Sequence, residues 1–286
     1  MPSSVISKSS SWPGFSRVRK LFIFGDSFSS VTLQTRFTEN FHPDSANPLA
    51  VEFPGVTYNE PGQPNWVGHL ITKYFPGPRL NPGGEQDEAY KSSPLLVYNY
   101  ARGGDRVMGV ERQIQTLFLP TVGQKPTWGF WSQNDSLFVI WVGINDCAWI
   151  QSPDNTIERL FSLHEELYNG GARNFLLIDL PPINRSPAYR NSRDPGDIFR
   201  SWNGSLRVSA RNFAEKHKDC TVLLFSAYQT FDMFLDDPET NGFPADDTNR
   251  MGGAIWVDHL HPTSKVHDIV ARDLADFLTE ISAFTE

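Results

Sequence analysis

A chain of 286 residues with 25 Lys and Arg against 33 Asp and Glu carries a formal net charge of -8 at pH 7. It lacks the clustered positive charge that phosphate binding rests on, so neither a nucleic-acid partner nor an anionic substrate is expected. With 39% hydrophobic and 13% aromatic residues it can bury a core of its own, and one domain over 20–286 is expected, taken to be a monomer.

Residues 1–20 contain Ser, Lys and Arg but no acid and no apolar run. That composition makes no secretory signal peptide, which favours an intracellular compartment over secretion, and residues 1–19 are expected to be a disordered tail. Short apolar runs at 21–26, 95–101, 137–143, 174–180 and 221–226 read as buried strands. The longest apolar stretch, Leu137 to Ile144, falls far short of the roughly 20 residues that span a bilayer, so no membrane segment is expected.

Helix-like segments separate the strands. Residues 64–75 place Pro64 in a first turn, and 107–119 set Val107, Val110, Ile114 and Leu117 on one side. The segment 154–169 runs from a cap candidate, Asp154, to a stop at Gly170 and Gly171, and 196–217 and 262–283 complete the set. Parallel neighbours need crossover connections, so this alternation predicts an α/β fold in three layers, α/β/α, around a five-stranded parallel sheet of flavodoxin-like type. Long connections at 36–64 and 236–257 start at the carboxyl ends of the strands, where such sheets bind ligands, and read as walls of a site. Cys147 and Cys220 make no disulfide framework and read as reduced, buried thiols.

Ser27 follows the first of these strands directly, while Asp258 and His261 stand three residues apart just before the last helix. A serine hydroxyl is a poor nucleophile at neutral pH; it needs an imidazole to take its proton and an acid to hold that imidazole. Ser27 alone would be a helix cap, but with Asp258 and His261 present it reads as a nucleophile. Asp26 reads as a turn residue. His259 and His261 could suggest zinc, yet no Cys or further His lies nearby to complete a ligand set, so no metal is expected. His261 is the better base, because Asp258 can reach its ring within one turn.

Two further segments share the layout of a strand closing in a small or amide residue: Asn99 to Gly104 and Trp141 to Asp146. Together with Gly25, Asp26 and Ser27 and the run Asp258 to Pro262, they resemble the blocks of the SGNH, or GDSL-type, hydrolases over about residues 20–283. The resemblance implies Ser27, Asp258 and His261 as the catalytic residues and N–H groups of Ser27, Gly104 and Asn145 as the oxyanion hole. Gly103 reads as a tight-turn glycine. Phe28 stands where the family name implies Leu. Asn174 to Leu177 running into Pro181, Pro182, Ile183, Asn184, Arg185, Ser186 and Pro187 look like the fungal carbohydrate esterases of family 16, which are acetylesterases.

This narrower resemblance implies hydrolysis of short acyl, chiefly acetyl, esters on carbohydrate hydroxyls, with a small-molecule or oligosaccharide ester as substrate and no metal or organic cofactor. A broader short-chain lipolytic esterase and a non-catalytic carbohydrate-binding protein of the same fold are the rivals. Trp66 and Trp256 are expected to line the cleft, and Arg102 and Arg185 to pair with surface acids.

Overall fold

The computed structural model describes residues 2–189 and 197–284. Five strands, β2 (Lys20–Gly25), β3 (Leu96–Asn99), β4 (Ser136–Trp141), β5 (Asn174–Ile178) and β6 (Thr221–Phe225), are nearly continuous in apolar residues because the sheet is covered on both faces. They pair in parallel in the order β6, β5, β4, β2, β3. The chain leaves β2 for β3 on one side and then returns to β4 on the other. The topological switch point therefore lies between β2 and β4.

The sheet has a sixth strand. β1 (Ser4–Ser7) adds to β6 as an antiparallel edge, so the five-stranded parallel expectation becomes a six-stranded mixed sheet. The expected disordered tail is corrected with it over the described residues 2–19; Met1 lies outside them. Ser7 Oγ donates to the Cys220 carbonyl at 2.9 Å, and Arg207 reaches Ser4 Oγ at 2.8 Å and the Pro2 carbonyl at 2.9 Å. Trp12 is 1% exposed, and its indole N–H donates to the Ile281 carbonyl at 3.1 Å. A four-residue, half-exposed, serine-rich strand carries no apolar run, and its ends are held by polar side chains far away in sequence.

Helices cover both faces. α1 (Trp66–His69) continues in wider turns over Leu70–Tyr74, and its cap is Asn65, whose side chain accepts from Val67 N–H at 3.0 Å; Pro64 stands outside the helix. α2 (Glu88–Ser92) is a short unpredicted helix. α3 (Val107–Arg112) widens in the same way over Gln113–Phe118. α4 (Ile144–Cys147) is a single turn, and α5 (Asp154–Asn169) buries Ile157, Leu160, Leu163 and Leu167 at helical spacing. Asp154 is its first residue rather than its cap.

α6 (Asp197–Lys216) matches the predicted helix from 196, a residue outside those described. α7 (Ala227–Asp236) precedes the second long loop, and α8 (Ser264–Glu280) starts at a Thr263 cap. α5 packs on α6 and α3, while α8 packs on α1 and α7, giving the α/β/α layers. Among the described residues no helix is long and apolar enough to cross a membrane. Cys147 and Cys220 are free and buried, and burial pushes both thiols up.

The buried apolar residues form one cluster reaching from Trp12 to Ile281. Trp12→Ala should therefore destabilise the protein by about 3–5 kcal/mol, the range for emptying a buried aromatic site. Urea unfolding measures it. A loss under about 0.5 kcal/mol, typical of a surface change, would restore the disordered tail.

Candidate active site

The site starts where β2 and β4 end side by side. At Gly25 a Cβ would lie 2.2 Å from the Trp141 carbonyl oxygen, so only glycine lets the two strand ends close. Buried Gln113 clamps this peptide from both sides, accepting from Gly25 N–H at 3.0 Å and donating to the Gly25 carbonyl at 2.8 Å. The chain then turns at Asp26, whose carbonyl accepts from Ser29 and Ser30 N–H and whose carboxylate accepts from Phe28 N–H at 3.1 Å. Asn99 and Asn65 donate to the carbonyls of Ser29 and Ser30 at 2.7 and 2.9 Å. Ser27 is fixed from below.

From the loop before α8, the Asp258 carboxylate folds back on its own turn. One oxygen accepts from Leu260 and His261 N–H, each at 2.7 Å, and the other lies 2.7 Å from His261 Nδ1. His261 Nε2 lies 3.0 Å from Ser27 Oγ. With the Nδ1 proton held by the carboxylate, Nε2 is left as the acceptor for the serine hydroxyl. Burial raises the Asp258 carboxyl, but the hydrogen bonds from His261 N–H, the His261 ring and Leu260 N–H outweigh it and hold it below the usual carboxylate range.

Gly104 and Asn145 follow β3 and β4 at the same end of the sheet. Gly104 adopts φ +79°, and a Cβ there would meet nothing within 4 Å, so its backbone borders open space. Asn145 is the second residue of α4, and its amide donates to the Asp105 carbonyl at 3.0 Å and lies 3.5 Å from the Asp26 carboxylate. Burial pushes the Asp26 carboxyl up to about 7, with Phe28 N–H opposing and Asp146 and Asp105 adding to the shift. Asp146 is pushed to about 6 by burial, against the pull of Val107 N–H, which it accepts at the start of α3. Such an arrangement can hold a nucleophile, its base and a set of neutral donors around one reacting carbon.

Residues 21–274 match the family described as GDSL-like lipase/acylhydrolase. The chain belongs to that family, and so to the hydrolases of carboxylic esters. It is 27% identical over 284 residues to an acetylesterase of Thermothelomyces thermophilus, covering 90% of this chain and 87% of that protein. A variant of an acetyl xylan esterase from Geobacillus stearothermophilus superimposes with a TM-score of 0.55 over 91% of this chain and 94% of its own, at 17% identity. A lipolytic G-D-S-L family member from Veillonella parvula gives a TM-score of 0.50 at 15% identity, covering 92% and 99%. These two likenesses are of fold.

The structure brings Ser27, Asp258, His261, Gly104 and Asn145 to one end of the sheet, and it moves the tryptophans elsewhere. Trp66 and Trp256 are both fully buried, which corrects their expected place in the cleft. Trp66 donates to Ser29 Oγ at 3.1 Å and so props the serine turn, while Trp256 donates to the Thr248 carbonyl at 2.9 Å and pins the loop that carries Asp258. Their N–H groups find partners inside, as buried indoles need. Arg185 pairs with Asp232 and Asp236, each at 2.7 Å. His259 points outward, its side chain 65% exposed.

Two residues carry more than their sequence suggested. Phe28 packs edge-on against Trp141, with ring centroids 5.5 Å apart, and 6.1 Å from the His261 ring, so it floors the imidazole. Tyr58 faces His261 from the other long loop at 5.2 Å and 31°. The loop was legible as a wall; the residue was not. A groove of about 850 Å3 between α5 and α6 involves none of these groups.

A folded-state carboxyl raised to about 7 from an ordinary 3.8 contributes stability that is fully present below the ordinary value and lost as pH rises towards 7. Asp26→Asn cannot ionise, so its melting temperature should gain on the parent's between pH 4 and pH 7 and the gap should hold above. An offset independent of pH would show that Asp26 is ionised throughout.

Proposed function

We propose that the protein is a serine esterase that removes short acyl groups, chiefly acetyl, from carbohydrate hydroxyls through Ser27, His261 and Asp258. The observation that carries this reading is the unbroken chain of contacts from Asp258 to His261 Nδ1 at 2.7 Å and from His261 Nε2 to Ser27 Oγ at 3.0 Å. His261 takes the serine proton as Oγ attacks the ester carbon. The N–H groups of Ser27, Gly104 and Asn145 receive the charge that develops on the carbonyl oxygen, and all three are neutral donors. The alcohol departs as its C–O bond breaks, with the proton from His261; water then repeats the sequence on the acyl-enzyme and releases the acid.

Acetyl is favoured by the similarity to an acetylesterase over nine-tenths of the chain. A carbohydrate alcohol is what the resemblance of the segments Asn174 to Leu177 and Pro181 to Pro187 to the carbohydrate esterases of family 16 implies. The test is release of acetate from acetylated xylo-oligosaccharides set beside simple esters of longer acids. Preferred hydrolysis of the longer esters would support a broad lipolytic esterase instead.

The catalytic assignments are tested by substitution. Ser27→Ala and His261→Ala should each cost several orders of magnitude in kcat, and the double variant hardly more, because the two act as a unit. Additive losses would separate them. Asn145→Ala should lower kcat by about a hundredfold or more with KM little changed. If Asn145 served only to close the turn after β4, melting temperature would fall while kcat per folded molecule stayed near the parent's.

A further inference from the structure

Tyr58 lies in the loop between β2 and α1, and its ring meets the His261 imidazole at 5.2 Å between centroids and 31° between planes. Its far end reaches the opposite bank. A Cβ built on Gly103 would sit 1.9 Å from Tyr58 Oη and 2.1 Å from Cζ, so the phenol occupies the space that any other residue at 103 would fill. Gly103 is next to Gly104, and His261 lies 3.0 Å from the serine hydroxyl, so the ring spans from the base to the turn that carries the two glycines.

The loop that carries this ring is tied down on both sides of Tyr58. Val56 N–H donates to the Val31 carbonyl at 2.8 Å, Asn59 donates to the Gln63 carbonyl at 2.9 Å, and Glu60 accepts from Ser264 N–H at 2.7 Å at the start of α8. Tyr58 itself remains 37% exposed, so the body of the protein does not need it for packing.

We propose that Tyr58 is a specificity-determining residue, the wall that limits the acyl group to acetyl. The proposal rests on the esterase reading and goes on from a constraint of that reaction. A sugar alcohol is bulky and must leave through open space, whereas the acyl group stays bonded to a nearly covered Ser27. An aromatic ring that bridges the base and the Gly103 turn is compatible with a small acyl group beside it and not with a long one. One added methylene against such a wall changes kcat/KM by about 10- to 200-fold.

The experiment measures kcat/KM of the parent, Tyr58→Ala, Tyr58→Val and Tyr58→Phe on two series: p-nitrophenyl acetate, butyrate and hexanoate, and acetates of alcohols of increasing size. Both truncations should raise the hexanoate-to-acetate ratio by about tenfold or more with the order of the alcohols unchanged, and Tyr58→Phe, which keeps the ring, should retain the parent's acyl profile. Two truncations guard against one that does not fold. A parent that cleaves acetate, with truncations that keep its acyl profile or shift the alcohol series instead, overturns the role of Tyr58 alone. A parent that cleaves none of the esters overturns the esterase reading, and this proposal with it.

Discussion

The close approach of the Gly25 peptide to the Trp141 carbonyl is the contact on which the site depends. β2 and β4 are neighbours at the switch point, and the chain leaving each of them is thrown over the same crevice. Ser27 comes two residues after the end of one, Asn145 four after the end of the other. If the strand ends stood apart by the width of a methyl group, the segments that carry Ser27 and Asn145 would separate with them. Glycine removes that obstacle, and Gln113 supplies a donor and an acceptor to the peptide that glycine exposes. The same Gln113 amide donates to Asp105 at 2.8 Å, and Asp105 in turn gives its carbonyl to Asn145. Strand closure and amide orientation are therefore one network.

A second constraint is charge. Asp26, Asp105 and Asp146 stand close together at the carboxyl end of the sheet, and the charges of Asp146 and Asp105 both act on Asp26. Burial and hydrogen bonding act on them in opposite directions. Burial shifts Asp26 and Asp146 towards their neutral forms, and the Asp146 carboxylate spends its acceptors on the first amide of α3. Asp258 is the opposite case. It is the carboxylate kept ionised, by two backbone N–H groups and an imidazole. One fold thus shifts its carboxyls in opposite directions, upward where burial outweighs the donors and downward where the donors outweigh burial.

The candidate site was legible because it combines local order with topology. Asp258 and His261 are three residues apart, and a turn of that length brings the carboxylate to the ring without help from elsewhere; the strand runs before Ser27 and Asn145 place both at the carboxyl edge. What escaped the sequence depends on contacts between distant segments. β1 is four residues long and is held by the Cys220 carbonyl and by Arg207 rather than by an apolar pattern. Trp66 and Trp256 sit beside the motifs in sequence, yet their indoles turn inward because Ser29 Oγ and the Thr248 carbonyl offer buried acceptors. Proximity in the chain marks a neighbourhood; it does not say which way a ring points.

Gly103 and Gly104 show how far residue identity alone can be read. Both look like turn glycines. Only Gly104 adopts the left-handed φ of +79°, and it opens on empty space, so its requirement is conformational. The backbone of Gly103 has no such angle, and its requirement is steric: the phenol of Tyr58, forty-five positions earlier in the chain, fills its side-chain position. A substitution at either would be damaging, for different reasons. At Gly104 the strain would fall on the turn wherever the side chain went, whereas at Gly103 it would fall on Tyr58 and through that ring on His261. The second glycine of the pair shapes the backbone of the site, and the first makes room for its wall.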